Sequence, residues 1–232
     1  MKTKTVKELV DLVETSYNNI AHHFDLTRKK RSWPKVEELC LQVKNNSSVL
    51  DLACGNGRLL EFLGDKKVNY LGIDISKELI KIASNNYSEF DFKVGDVLNL
   101  NEILQDNQRF DYIFFLAALQ HVPSKKQRLK ALRDIKDHLS DTGVLIISNW
   151  NLWQTKHRRL IFSFALLKAL GINKLEFGDI IFPWKDVKGN DREKRYYHAF
   201  TKRELISLAK LAGFSDIKIQ KDKYNYWLIL KK

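Results

Sequence analysis

The sequence predicts an α/β fold in which a seven-stranded, mostly parallel sheet ends in an antiparallel hairpin. Three observations predict it. Between residues 47 and 149, short apolar runs alternate with stretches of helical periodicity. Those runs are almost continuously apolar, as parallel strands covered on both faces must be. Near the C-terminus, residues 214–221 and 224–230 alternate apolar and polar positions across a short gap, which is the pattern of a hairpin.

The elements follow in order. Val6, Leu9, Val10, Val13, Tyr17 and Ile20 recur at helical spacing and mark a helix over about 4–24. Ser32-Trp33-Pro34 opens a second helix, with Ser32 as its N-cap and Pro34 in its first turn. Residues 48–52 form a first strand that runs into a glycine-rich turn, and a helix follows from Arg58. A second strand at 68–73 ends at Asp74, Ser76 caps the next helix, and a third strand at 90–94 ends near Asp96. The fourth strand, 110–116, is almost wholly apolar; a helix over 124–139 and a fifth strand at 143–148 come next. Residues 150–200 break the alternation: a helix at 159–170 precedes an aromatic, basic and irregular stretch from 177 to 200, read as a lid or insertion. Thr201 and Glu204 form a capping box for a final helix that stops at Gly213. The chain is thus one domain, with a helical cap (1–46), a core (47–149), a basic lid (150–200) and a closing helix and hairpin (201–232).

Composition narrows the class. A 44% hydrophobic content with 11% aromatics supports a packed globule. No apolar run is long enough to span a bilayer, and the N-terminus lacks a signal-peptide pattern, so a cytosolic protein with no membrane partner is expected. Two cysteines without a CxxC pair leave no basis for a zinc site, and no metal is expected. The net charge is +12 and uneven: residues 149–232 hold 18 Lys/Arg against 8 Asp/Glu, while residues 49–148 are near neutral. A further basic run, Arg28-Lys29-Lys30-Arg31, lies near the N-terminus. A polyanionic partner follows from this asymmetry, with a merely solvated basic surface as the bland reading.

Three signals stand at the ends of three successive strands, where open α/β sheets bind ligands. The first is Asp51-Leu52-Ala53-Cys54-Gly55-Asn56-Gly57, whose glycines let the backbone turn sharply and approach a ligand. The second is Asp74, with Ile75 beside it, suited to paired ribose hydroxyls; the third is Asp96, with Val97, suited to an adenine amine. The loop reads A-C-G-N-G-R and does not fit the G-x-G-x-x-G cradle of a pyrophosphate-bearing dinucleotide. A nucleoside cofactor without phosphate, S-adenosyl-L-methionine, fits all three signals. Leu116, at the end of the fourth strand, completes the expected cofactor set; Gln120 and His121 just beyond it are candidates to face the methyl acceptor, and Asp111 at the strand's start is read as structural.

The sequence resembles the tRNA wobble-uridine carboxymethyl methyltransferases, including the methyltransferase domain of the AlkB-homologue tRNA hydroxylase. The resemblance is carried by Tyr17-Asn18-Asn19-Ile20-Ala21-His22-His23-Phe24, Thr27-Arg28, Trp33-Pro34, Cys54-Gly55-Asn56-Gly57-Arg58, Gly72-Ile73-Asp74-Ile75-Ser76, Phe182-Pro183-Trp184 and Arg195-Tyr196-Tyr197-His198-Ala199-Phe200. It implies a Rossmann-like class I methyltransferase fold. It also implies an anticodon stem-loop as substrate and a small zinc-binding activator subunit as partner. Arg28, His121 and Arg195 match residues implicated around the active site of that family. Ala53 stands where the family has a first glycine, and Gln120-His121 where it often has two histidines; residues 151–182 match no family pattern.

That reaction suits the residues present. A carboxylic acid with a pKa of about 4 is already ionised at neutral pH and needs no general base. It needs alignment and a cationic clamp, for which Arg28 and Arg195 are the candidates and His121 a positioning group. Trp33, Trp184, Tyr197 and His198 are candidate acceptor contacts, with Trp184 and Tyr197 either stacking on a splayed base or packing the lid against the core. Lys156-His157-Arg158-Arg159, Lys185, Lys188 and Arg192 are candidate phosphate contacts. A methyltransferase for a small carboxylate or hydroxyl, and a non-catalytic RNA-binding relative, stay open as alternatives.

Overall fold

The structure, a computed structural model, describes residues 1–28, 32–185 and 190–232. The first helix, α1 (Thr3–Arg28), buries Val6, Leu9, Val13 and Ile20 along one face. In α2 (Pro34–Leu41) the N-cap position belongs to Trp33, not to Ser32 as expected. Pro34 keeps the preceding Trp33 out of the helical region (φ −136°, ψ 71°), which puts Ser32 outside the cap. Its hydroxyl and the Trp33 N–H both donate to Glu37 instead, each at 3.2 Å.

The core runs β1 (Ser48–Leu52), α3 (Leu59–Leu63), β2 (Asn69–Asp74), α4 (Lys77–Asn86), β3 (Asp91–Val94), α5 (Leu100–Ile103), β4 (Phe110–Leu116), α6 (Lys125–Asp137) and β5 (Leu139–Trp150). Next come α7 (Thr155–Ala169), β6 (Asp179–Lys185), β7 (Asp191–His198), α8 (Lys202–Leu211), β8 (Asp216–Lys221) and β9 (Asn225–Lys231). The large sheet has the order β3-β2-β1-β4-β5-β9-β8, parallel up to β5 and antiparallel through the β8–β9 hairpin. Its order reverses between β1 and β4, so the C-terminal ends of those strands open a crevice. Apolar side chains pack both faces: Leu50, Leu52, Ile113, Phe115 and Ile147 on one, Val49, Phe114, Ile146 and Trp227 on the other. Asp111 is structural as expected, accepting from the Ser48 N–H (2.9 Å) and hydroxyl (3.0 Å).

The stretch expected to be irregular, 177–200, is instead largely a second, two-stranded antiparallel sheet, β6 with β7. Its strands escape a sequence reading because Arg195, Tyr196, Tyr197 and His198 are all buried. With both faces of that half of β7 covered there is no polar alternation in it, and Pro183 interrupts β6. This small sheet is packed between α1 on β7 and α7 on β6. At α8 only half of the capping box forms. The Thr201 hydroxyl accepts from the Glu204 N–H (3.2 Å), while the Glu204 carboxylate turns to His198.

Candidate active site

A cavity of about 990 Å³ lies over the crevice between β1 and β4. That is at the upper end for small-molecule sites, enough for a cofactor and part of an acceptor. Its inner wall is the sequence-predicted cofactor set: Asp51, Ala53, Gly55, Asn56, Asp74, Ile75, Asp96, Val97 and Leu116 all line it. The turn after β1 holds Ala53, Gly55 and Gly57 at positive φ (55°, 58° and 77°). For Ala53 this is a strained conformation of the kind that clusters at functional sites. Gly57 is the exception in the set. It turns away from the cavity, and a Cβ there would sit 2.9 Å from the Tyr87 ring, so its role is to let the loop pack.

The carboxylates are arranged by backbone and hydroxyl donors. Asp74 accepts from the Gly55 N–H (2.9 Å) through one oxygen and from the Ser76 N–H (2.8 Å) through the other. Burial outweighs those two donors and lifts its pKa to about 6. Asp51 accepts from the Tyr70 hydroxyl (2.9 Å), yet burial, aided by Asp74, lifts its pKa to about 8. Asp96 accepts from the Leu98 N–H (2.9 Å), and burial raises it too. Two buried acceptors, Asp51 and Asp74, and the half-buried Asp96, beside the apolar Ile75, Val97 and Leu98, fit the hydroxyls, amines and adenine of S-adenosylmethionine.

α1 lies across the glycine loop as a lid. Asn56 donates to Asp25 (2.9 Å), Ser76 donates to Asn18 (2.8 Å), and the Phe24 ring stands 3.4 Å from where a Gly55 Cβ would be. The outer wall continues from this helix. Tyr17, Phe24, Arg28, His121, Trp184 and Arg195 all line the cavity. Arg28 lies over the rings of Phe24 (5.2 Å) and Trp184 (5.1 Å). Arg195, only 2% exposed, lies over Trp184 (4.5 Å), Tyr197 (5.1 Å) and Tyr17 (5.3 Å), and its Nη1 donates to the Tyr17 hydroxyl (3.0 Å). His121 sits with Nδ1 2.7 Å from the Tyr196 carbonyl and Nε2 3.0 Å from the Tyr17 hydroxyl. Burial and the neighbouring Arg195 push its pKa down to about 3, so the ring is neutral. Trp33 lines the same cavity, with Arg58 over its ring at 5.2 Å.

Three expected acceptor contacts are elsewhere. Gln120 is fully buried and serves the scaffold: its amide donates to the Ala117 carbonyl (3.0 Å) and accepts from the Trp150 N–H (2.9 Å), tying the turn after β4 to β5. His198 is buried between Asp179 (2.7 Å) and Glu204 (2.8 Å). Tyr197 stacks on Phe182 at 4.3 Å, fully buried and outside the cavity lining, so it packs the small sheet and stacks on no base. Tyr197 shares the Arg195 face of β7, but the rings of Phe182, His121 (4.5 Å) and Trp150 (5.6 Å) cover it. Of the candidate phosphate contacts, Arg158, Arg159, Lys185 and Arg192 are exposed and His157 lines the cavity. Lys29, Lys30, Arg31 and Lys188 lie outside the described residues, as does the Lys156 side chain. Sequence reasoning assigned no role to Tyr17, Phe24, Trp150, Asn151 or Trp227, all of which line the cavity. Tyr17 and Phe24 had a signal, since they bound the segment that carried the resemblance.

Fold and site together define a methyltransferase of the α/β, nucleoside-cofactor class. The chain belongs to the methyltransferase-domain family, whose model matches residues 43–228. It is similar to the tRNA (carboxymethyluridine(34)-5-O)-methyltransferase of Schizosaccharomyces pombe, with 29% identity over 96% of each chain. The enzyme of the same name from Saccharomyces cerevisiae is 29% identical over 79% of this chain and 60% of its own length. Among solved structures, a SAM-dependent methyltransferase from Methanosarcina mazei superposes with a TM-score of 0.66 at 21% identity, covering 86% of this chain and 98% of that one. Among the described residues no helix is long and apolar enough to cross a membrane.

Proposed function

We propose that this methyltransferase uses S-adenosylmethionine to esterify the carboxylate of 5-carboxymethyluridine at the wobble position of tRNA. The observation that carries the reading is Arg195. A buried cation is normally paired with an anion, and Arg128, equally buried, has Glu176 at 2.7 Å. Arg195 faces the cavity with aromatic rings and one hydroxyl around it, and among the described residues no carboxylate pairs with it. An anionic acceptor is the partner such a site lacks. The S. pombe relative's name supplies the nucleoside, and the basic C-terminal third suits a polyanion.

S-adenosylmethionine supplies, when bound, an electrophilic methyl group on a cationic sulfur. Asp51, Asp74 and Asp96 hold the nucleoside and amino groups, and Ala53, Gly55, Ile75, Val97 and Leu116 shape the apolar slot. The acceptor carboxylate, with a pKa of about 4, arrives ionised. No base is required, and His121 is not placed as one: its Nε2 already accepts from Tyr17. Arg195, with Arg28 beside it over Trp184, holds the carboxylate. Phe24 and Trp184 exclude water, which strengthens that grip.

The test is to incubate the protein, with and without a small zinc-binding activator subunit, with methyl-labelled S-adenosylmethionine and an anticodon stem-loop containing carboxymethyluridine. Nucleoside analysis should show the methyl ester. Measurable cofactor binding without ester under either condition would defeat the reading, and efficient methylation of free small carboxylates at shallow salt dependence would replace it.

A further inference from the structure

The hydrogen-bond directions around Tyr17 are determined. Nδ1 of His121 lies 2.7 Å from the Tyr196 carbonyl, which can only accept, so that nitrogen carries the proton. In the neutral ring Nε2 is then an acceptor, and the Tyr17 hydroxyl donates to it at 3.0 Å. The same hydroxyl oxygen accepts from Nη1 of Arg195 at 3.0 Å. Nε of Arg195 is buried with no hydrogen-bond partner. Both edges on which a guanidinium can grip a carboxylate with two parallel bonds are thereby compromised. A grip on the Nη1–Nη2 edge would have to share Nη1 with Tyr17, and the Nε–Nη2 edge is covered at Nε. Nη2 is the nitrogen left for a ligand.

We propose that Tyr17 is a positioning residue for methyl transfer: by holding Nη1 of Arg195 it limits the guanidinium to a one-pronged grip on the acceptor carboxylate and leaves the second carboxylate oxygen free to attack. The proposal rests on the carboxylate reading above. Its physical basis is that a two-pronged arginine grip is stronger and ties up both oxygens, whereas catalysis gains from contacts that do not favour the ground state. Tyr17 keeps its ring packing against Phe24 and His121 when only the hydroxyl is removed, since those contacts are made by the ring (5.9 and 5.5 Å).

The experiment is Tyr17→Phe, assayed with the carboxymethyluridine stem-loop at saturating cofactor, alongside acceptor binding measured by calorimetry in S-adenosylhomocysteine. kcat should fall by about tenfold to a hundredfold, the range expected of a misplaced reactant, while acceptor KM and Kd stay level or decrease. In Arg195→Gln the Tyr17→Phe change should have no further effect on kcat, because Tyr17 acts through Arg195. Unchanged kcat, weakened acceptor binding, or additive losses in the double variant would each overturn the proposal. Absence of ester from the unaltered protein would instead remove the carboxylate reading and this proposal with it, so the two failures are told apart by the first arm.

Discussion

Asn56 donates to Asp25 across 2.9 Å, and both residues are buried. This bond fastens the helical lid to the glycine loop, so Asp25, outside the cavity, helps set the shape of the cofactor wall through Asn56. Asn56→Ala removes a donor from a buried carboxylate. The expected cost is about 1.5–3 kcal/mol, the range for hydrogen bonds to charged groups. Chemical denaturation should show that loss, and calorimetry should show weaker S-adenosylmethionine binding with acceptor affinity less affected. An unchanged cofactor Kd would mean that α1 holds its place without this tie.

The buried carboxyls make stability depend on pH. Asp74 and Asp51 have folded pKa values of about 6 and 8, both above the ordinary aspartate value of 3.8. A raised folded pKa favours the protonated folded form. Its stabilisation is complete below about pH 4 and is lost as pH rises through the folded value. Burial alone would lower His198, but its Asp179 and Glu204 partners raise it, so it adds a loss of the same sign above its ordinary value of 6.5. His121, depressed to about 3, acts oppositely, costing stability as pH falls below 6.5. The clean window is therefore about pH 7 to 8, below the onset of thiol ionisation in the unfolded chain, and there the apoprotein's Tm should fall with rising pH. Asp51→Asn keeps an oxygen for the Tyr70 hydroxyl and should flatten most of that slope; an unaltered slope would assign the effect elsewhere.

His198 illustrates a residue whose importance was visible and whose role was not. It bridges two carboxylates in the core, so His198→Gln should destabilise the fold by about 3–5 kcal/mol, as breaking a buried charged pair does. Methylation per folded molecule at low temperature should be preserved. A kcat loss in protein shown to be folded would return His198 to the site.

The cofactor wall was legible because its information is local: each of Asp51, Asp74 and Asp96 terminates a strand, and strand and turn are contiguous in sequence. The seven-stranded sheet was legible for the same reason. Of the acceptor wall, Arg28, Trp33, His121, Trp184 and Arg195 were named, but, His121 apart, through the resemblance and not through any local pattern, because that wall is assembled at a distance. Tyr17 and His121 meet across 104 positions, and Tyr17 and Arg195 across 178. No periodicity reports such a meeting. The β6–β7 hairpin was hidden by burial on both faces, which removes the alternation that marks a strand. Gln120 was assigned to the acceptor beside His121, and His198 lay in the segment of Arg195, yet one position in the turn and three along the strand are enough to point a side chain inward.

Arg195 and Arg128 offer the sharpest contrast, since both are buried arginines and, among the described residues, only Arg128 has a carboxylate partner. Arg128→Gln strands Glu176, which is 26% exposed, and also breaks the Arg128 bond to the Val122 carbonyl (3.2 Å), so Tm should fall. Arg195→Gln leaves no anion behind. It forfeits cation–π contacts worth about 0.5–2 kcal/mol, but it also removes a desolvated charge whose burial costs several kcal/mol. The second term is the larger, so Arg195→Gln should leave the apoprotein's Tm level or raise it. Methylation should fall at least about a hundredfold, because the missing counter-ion is the substrate, and cofactor Kd should hold. This pairing of greater stability with lost activity is what a site kept electrostatically unsatisfied for its ligand produces. A clear drop in Tm for Arg195→Gln would show that the arginine is structural, and would take the carboxylate reading down with it.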